Sequence, residues 1–173
     1  CTLHYNQQPS GWNGFTTLAD FYDKFEATDK RLTSSYTGVT DVTGLKVGLL
    51  AGQQLDKNGV ALKDRKGNAL AFTRKVALKE TGNDLEITGI RVVKYPPDFA
   101  HGIDGNAENE LVIFRYADVL LMKAEAMLRK GDATGSLAIV NNLRSVRGAT
   151  PLAALTLDNL LAERGRELYW EGW

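Results

Sequence analysis

Apolar residues follow two regimes along the chain, a mixed one up to about residue 95 and a helical one from about residue 114 onward. Leu18, Phe21, Tyr22 and Phe25 stand at i, i+3, i+4 and i+7, which predicts a helix capped by Thr16 or Thr17 and running to about Ala27. Residues 28–44, rich in Thr, Ser, Asp and Gly, read as irregular. Strands are then expected over Leu45–Leu55, Val60–Leu62, Ala69–Val76 and Ile90–Tyr95. The turns between the first three carry Asn58-Gly59 and Gly67-Asn68, residues that accept positive φ in hairpins. Pro96-Pro97 ends the last strand, because proline lacks the amide that pairing needs.

Three helices follow. The first is expected over Phe114–Lys130, with Ala117, Leu120, Leu121, Ala124 and Leu128 on one face and Gly131 as its stop. The second, about Thr134–Arg147, buries Leu137, Val140, Leu143 and Val146 and ends at Gly148. The third, about Leu157–Glu171, is capped by Thr156 and buries Leu157, Leu160, Leu161 and Leu168. A short loop forces the first two into an antiparallel, tetratricopeptide-like pair, with Ala124 and Ala126 allowing close approach. The expected class is α+β, mainly α. An irregular strand-bearing region (1–110) precedes a helical scaffold (111–173).

The bulk numbers narrow the function. Twenty-one basic residues balance 21 acidic ones, which argues against a nucleic-acid partner, since that binding leans on surplus Lys and Arg. Cys1 is the one cysteine, so no internal disulfide or thiolate metal site forms. Its setting, Cys-Thr-Leu-His-Tyr, reads as the middle of a buried strand more than as a lipidated start. No apolar run approaches the roughly 20 residues of a membrane span. Aromatics run to the last position at Trp173, so both ends look cut.

The stretch Arg115-Tyr-Ala-Asp118-Val-Leu-Leu-Met-Lys-Ala-Glu125-Ala is similar to the R-x-A-D-V-L-L-x-x-A-E-A signature of SusD/RagB proteins. Ala138-Ile-Val-Asn-Asn-Leu-Arg144-Ser-Val-Arg147-Gly148 resembles the family's next segment, and Glu163-Arg164-Gly-Arg166-Glu167-Leu168-Tyr-Trp-Glu171-Gly172 resembles its E-R-x-x-E-L-x-x-E-G. Gly11-Trp12-Asn13-Gly14-Phe15 with Phe21-Tyr22 and Asp29-x-Arg31 looks like the equivalent part of one subgroup. The resemblance covers the C-terminal half of such a protein and departs at Gly165, where a charged helix former is usual. It implies a non-catalytic lipoprotein of the cell outer membrane that binds an oligosaccharide and hands it to a SusC-type TonB-dependent transporter. It places the signal and lipid anchor outside this chain.

Within that expectation Trp12 is the first candidate ligand contact. Sugars stack their C–H faces on aromatic rings while amides such as Asn13 bond the hydroxyls. The competing reading has Trp12 packed down to fix its loop. Tyr5, Tyr95 and Phe99 are further candidates. Asp20, Asp23, Glu26 and Asp29 resemble an acid–base cluster for glycoside cleavage, but steps of three along a surface helix read as a solvated face. The charged signature positions Arg115, Asp118, Glu125, Arg144, Arg147, Glu163, Arg164, Arg166, Glu167 and Glu171 are expected to lock the helices through carboxylate–guanidinium pairs. No cofactor is expected. Asp104, Asn106 and Glu108 resemble the opening of a calcium loop but lack its sixth-position Gly and distal Glu, and His4 and His101 have no zinc-ligand spacing.

Overall fold

The computed structural model describes residues 2–76, 83–101 and 107–172. The chain is α+β and mainly helical, and it divides into two compact units. One comprises Cys1–Asp23 and Thr33–Asn109, the other Lys24–Leu32 and Glu110–Trp173.

In the first unit, β1 (Thr33–Ser34), β2 (Val47–Leu50) and β5 (Arg91–Val93) form an antiparallel sheet in the order β1-β2-β5. Gly48 stands opposite both Thr33 and Val93. β3 (Gly52–Gln53) pairs with β4 (Ala71–Phe72) as a second, two-stranded sheet. Leu3, Val39, Leu45, Leu50, Leu70, Phe72 and Val93 make the buried core, with Phe99 packed against it. Pairing between Leu55 and Ala61 and between Lys63 and Ala69 survives only as single bridges, so the expected strands are much shorter than their apolar runs.

The two turns lie where expected but are built differently. Asp56 Oδ1 accepts from the amides of Asn58 and Val60, and Asp64 Oδ1 from those of Lys66 and Asn68, each at 2.8 Å. Among these turn residues only Gly59 and Gly67 take positive φ, 77° and 87°. The aspartates hold the turns by side-chain bonds to the backbone, and glycine alone supplies the left-handed step.

The helix expected through Ala27 is cut to α1 (Ala19–Tyr22). Asp23 is the last residue of the first unit's opening segment, and Lys24–Leu32 belongs to the second unit. There Phe25 is buried and meets Tyr169 edge-on, with ring centroids 5.9 Å apart. Residues 28–44 are also less irregular than their composition suggests, since they hold β1 and the single-turn α2 (Thr40–Thr43). Residues 2–5, expected as strand, form bends and turns.

The second unit is built on α3 (Tyr116–Arg129), α4 (Ala133–Val146) and α5 (Leu157–Leu168). Ala117, Leu121 and Ala124 of α3 meet Val140 and Leu143 of α4 and Leu160 of α5 in one core. Ser136 Oγ donates to Ala124 O at 2.6 Å, a bond that the small Ala124 side chain leaves room for. Asp132 caps α4 through Gly135 N–H, and Thr156 and Asn159 form a reciprocal capping box on α5. Four residues expected inside lie outside: Ala126, Val146, Leu157 and Leu161, the last 68% exposed. On α5 the reason is angular. Leu160, Glu163 and Glu167 share the inward face, so Leu157, Leu161 and Gly165 at i, i+4 and i+8 turn outward.

Candidate functional site

Trp12 stands on a loop pinned at both flanks. Gly11 N–H donates to His4 O at 3.3 Å and Asn13 N–H to Leu3 O at 2.8 Å, which draws the loop against the segment 3–5. A Cβ on Gly11 would run into Leu3 O, so only glycine fits there. Asn13 takes φ 55°, a left-handed conformation that Asn tolerates. Between these anchors the Trp12 side chain projects outward, 79% exposed. It is therefore not packed down on the core.

Asn13 fills a different place from the one its position suggested. Its Oδ1 accepts from Arg91 Nε at 2.8 Å and Nη2 at 2.6 Å, while its Nδ2 donates to Leu85 O and Glu86 O at 3.2 Å each. The amide is occupied from within the protein, and its work is to hold the loop. Arg91 is fully buried on β5. Its remaining bonds go to the carbonyls of Thr88, Gly89 and Glu86, and its guanidinium lies 4.6 Å from the centre of the Phe72 ring. Burial lowers its pKa to about 10, still far above neutrality, so a cation held by neutral oxygens underlies the Trp12 loop.

Tyr5 is 38% exposed, and the Arg65 guanidinium covers one ring face at 4.3 Å. Arg65 Nε donates to Glu86 Oε1 at 2.8 Å, and Glu86 Oε2 lies 2.8 Å from His4 Nε2. Burial raises the Glu86 carboxyl, but the Arg65 amide and the His4 ring outweigh it and bring the pKa to about 2. Tyr95 is 44% exposed, just before Pro96. Phe99 is half-buried, with one side on the core and the other lining a cavity of about 390 Å³ beside Tyr36.

On α5 of the second unit, Glu163 and Glu167 are each bonded by three guanidiniums. Glu163 Oε1 accepts from Arg31 Nη1 at 2.7 Å, and Oε2 from Arg144 Nη1 at 2.6 Å and Arg166 Nη2 at 2.7 Å. Glu167 accepts from Arg147 at 2.6 Å, Arg115 at 2.8 Å and Arg31 at 3.1 Å. Glu171 bonds Arg115 Nε at 2.8 Å, and Asp118 Oδ1 lies 2.6 Å from Arg164 Nη1, close but out of hydrogen-bond alignment. Burial raises the Glu167 carboxyl, yet the bonds from Arg147 and Arg115 overcome this and hold its pKa at about 2. Arg31 is pushed upward in spite of burial by its bond to Asp29 and the charge of Glu163.

Two acids read as a solvated face belong to this network. Asp29 is buried and bidentate to Arg31, and Glu26 pairs with Arg144 and accepts from Thr150 N–H. Asp23 instead bonds Arg74 at the surface. The bond from Arg74 holds the Asp23 carboxyl below its ordinary value, and those from Thr150 and Arg144 do the same for Glu26. Arg31 was the brace that spacing concealed, because its partners Glu163 and Glu167 lie 132 and 136 residues away. His101 contacts Asp98 at 3.0 Å and Glu108 at 3.6 Å. Among the described residues no group of three His, Cys, Asp or Glu side chains is arranged to hold a metal ion. Asp104 and Asn106 of the calcium-like pattern lie outside the described residues.

The second unit thus spends its ion pairs on bracing helices, and the first unit exposes Trp12 on a loop pinned at both flanks. The chain belongs to the SusD family, whose model it matches over residues 3–173. It is 32% identical over 98 residues to SusD-like protein P38 of Formosa agariphila, an alignment covering 49% of this chain and 19% of that protein. Its fold resembles that of a SusD-like protein from Bacteroides fragilis NCTC 9343, with TM-score 0.55 and 22% identity over 93% of this chain and 35% of the other. The chain thus spans about a fifth and about a third of the two relatives' lengths. The family's role is carbohydrate binding in nutrient uptake.

Proposed function

We propose that this chain contributes a glycan-binding surface to an outer-membrane lipoprotein that captures an oligosaccharide and passes it to a SusC-type TonB-dependent transporter. The step is capture without bond cleavage. Trp12 provides a stacking platform, and Tyr5, Tyr95 and Phe99 provide further apolar surface. One observation carries the reading: the most solvent-exposed tryptophan side chain described sits on a loop whose two flanking residues are pinned to neighbouring backbone. A platform fixed before the ligand arrives loses little entropy on binding. Support against hydrolysis comes from Glu163 and Glu167, whose oxygens are saturated by guanidiniums and have no raised carboxyl to donate a proton.

Isothermal titration of the chain with plant and host oligosaccharides tests this. Trp12→Ala is expected to weaken the best ligand about 10-fold or more, the scale of losing one aromatic contact of about 1.5 kcal/mol. Affinity indifferent to Trp12 would remove the site assignment, and release of reducing ends would remove the non-catalytic reading. A second reading, a helical module docking a protein partner, draws on the exposed Leu111, Ile113, Tyr116, Val119 and Met122. It would be preferred if no saccharide bound.

A further inference from the structure

A cavity of about 390 Å³ opens in the first unit, apart from the Trp12 loop in sequence. Its apolar floor is Tyr36, Pro97 and Phe99, and its polar rim is Asp98, His101 and Glu108. The volume suits one or two hexose rings, and an apolar floor with a few polar groups is the usual make-up of a small-ligand site. Tyr36 is half exposed and set at the start of the turn that becomes α2, where Tyr36 N–H donates to Thr40 Oγ1 at 2.9 Å. Asp98 organises the rim. Its Oδ1 accepts from the amides of Ala100 and His101 at 3.1 and 3.2 Å, and its Oδ2 from Glu108 N–H at 3.1 Å.

The charge of this rim is one-sided. Among the described residues no Lys or Arg lines the cavity. Between Lys94 and Arg115 the sequence carries Asp98, Asp104, Glu108 and Glu110 against His101 and no Lys or Arg, in a chain whose total charge is zero. Glu108 is largely exposed, 72% for its side chain, and has only the His101 ring at 3.6 Å as an ion-pair partner among the described residues. A carboxylate or sulfate entering the cavity would meet the like charge of Asp98 and Glu108, and the described lining sets against it only the His101 ring, already in contact with both.

Resting on the glycan-binding reading above, we propose that the Tyr36–Phe99 cavity is a second saccharide subsite that accepts non-acidic sugars and excludes uronates and sulfated sugars. Tyr36 and Phe99 stack the ring faces. Glu108 accepts hydroxyl hydrogens and sets the charge selectivity.

The test is titration of the chain with hexamers of glucose, mannose, xylose, N-acetylglucosamine and galacturonate, using wild type, Trp12→Ala, Tyr36→Ala, Tyr36→Gln and Glu108→Lys. Circular dichroism melting checks that each variant is folded, and the positions are exposed enough to tolerate change. We expect a neutral hexamer to bind, both Tyr36 variants to weaken it about 10-fold, and galacturonate to bind only to Glu108→Lys. If Trp12→Ala weakens binding while the Tyr36 variants do not, the cavity assignment is overturned and the glycan reading stands. If wild type binds galacturonate as tightly as any neutral hexamer, the selectivity is overturned. If no hexamer binds wild type or Glu108→Lys, both readings fall together.

Discussion

Glu167, like Glu163, is bonded by three guanidiniums, and replacing it by glutamine isolates what it contributes to the ion-pair network. Its side chain is buried and receives bonds from Arg31, Arg115 and Arg147. The carboxyl falls from its ordinary 4.5 to about 2 in the folded chain. At about 1.4 kcal/mol per pH unit that difference corresponds to roughly 3 kcal/mol of stability. Because the folded pKa is depressed, this contribution is fully present above pH 4.5 and is lost as pH falls through 2. Glutamine retains the shape but leaves three guanidiniums facing a neutral amide, and breaking a buried pair in this way costs about 3–5 kcal/mol. Urea unfolding followed by ellipticity at 222 nm reports on the helices. With a slope of about 2 kcal/mol/M, Glu167→Gln should lower the midpoint by about 1.5–2.5 M at pH 7. The same titration between pH 7 and 2 supplies the sharper measurement. Glu163 is also depressed and titrates in both proteins, so the gap between them reports Glu167 alone and should close as pH approaches 2. A gap that stays constant down to pH 2 would refute the assignment of the acid-labile stability to this residue.

Four further outcomes are expected. Gly165 is exposed on α5 and a Cβ there meets nothing within 4 Å, so Gly165→Ala should raise helix stability by about 1 kcal/mol, read as a higher urea midpoint. Thr156→Ala removes the capping box of α5 and should cost about 1 kcal/mol by the same assay. Trp12→Ala removes an exposed side chain and should leave stability within about 0.5 kcal/mol of wild type, which separates its binding role from folding. Gly11→Ala drives a Cβ into Leu3 O; it should loosen the loop, seen as faster acrylamide quenching of Trp12 fluorescence in a Trp170→Phe, Trp173→Phe background.

The helical half was legible because its punctuation is local. Gly131 and Gly148, both at positive φ, follow α3 and α4, and Thr156 opens α5, so each boundary sits next to its own signal. Apolar periodicity failed where charge took the inward face, as at Leu161, because Glu163 and Glu167 have to point at arginines brought from elsewhere in the chain. The first helix failed for a related reason. Leu18, Phe21, Tyr22 and Phe25 fit one helical face, but Phe25 belongs with Tyr169 to the second unit and packs on it there, and periodicity contains no record of that partner. Strands were overdrawn because apolar content reports burial and not pairing. Leu62 packs against the core, yet its neighbours Ala61 and Lys63 pair only through single bridges.

Candidate ligand contacts divide along the same physical line. Exposure of Trp12 was legible as a possibility in a loop of Gly and Asn, but the spent state of Asn13 was not, since it depends on Arg91 arriving from 78 residues away. Tyr36 carried no signal at all; it becomes a cavity wall only because the Pro96–Phe99 segment folds opposite it. This difference between spent and unspent groups is the strongest ground for a binding function. In the second unit Glu163 and Glu167 already receive several guanidinium bonds each, so they have no capacity left for a substrate. In the first unit the surfaces of Trp12 and Tyr36 face solvent, and Glu108 projects from its rim. Under the proposed reading, Glu163 and Glu167 are occupied in bracing the helices, while the open rings of Trp12 and Tyr36 are left to meet a sugar.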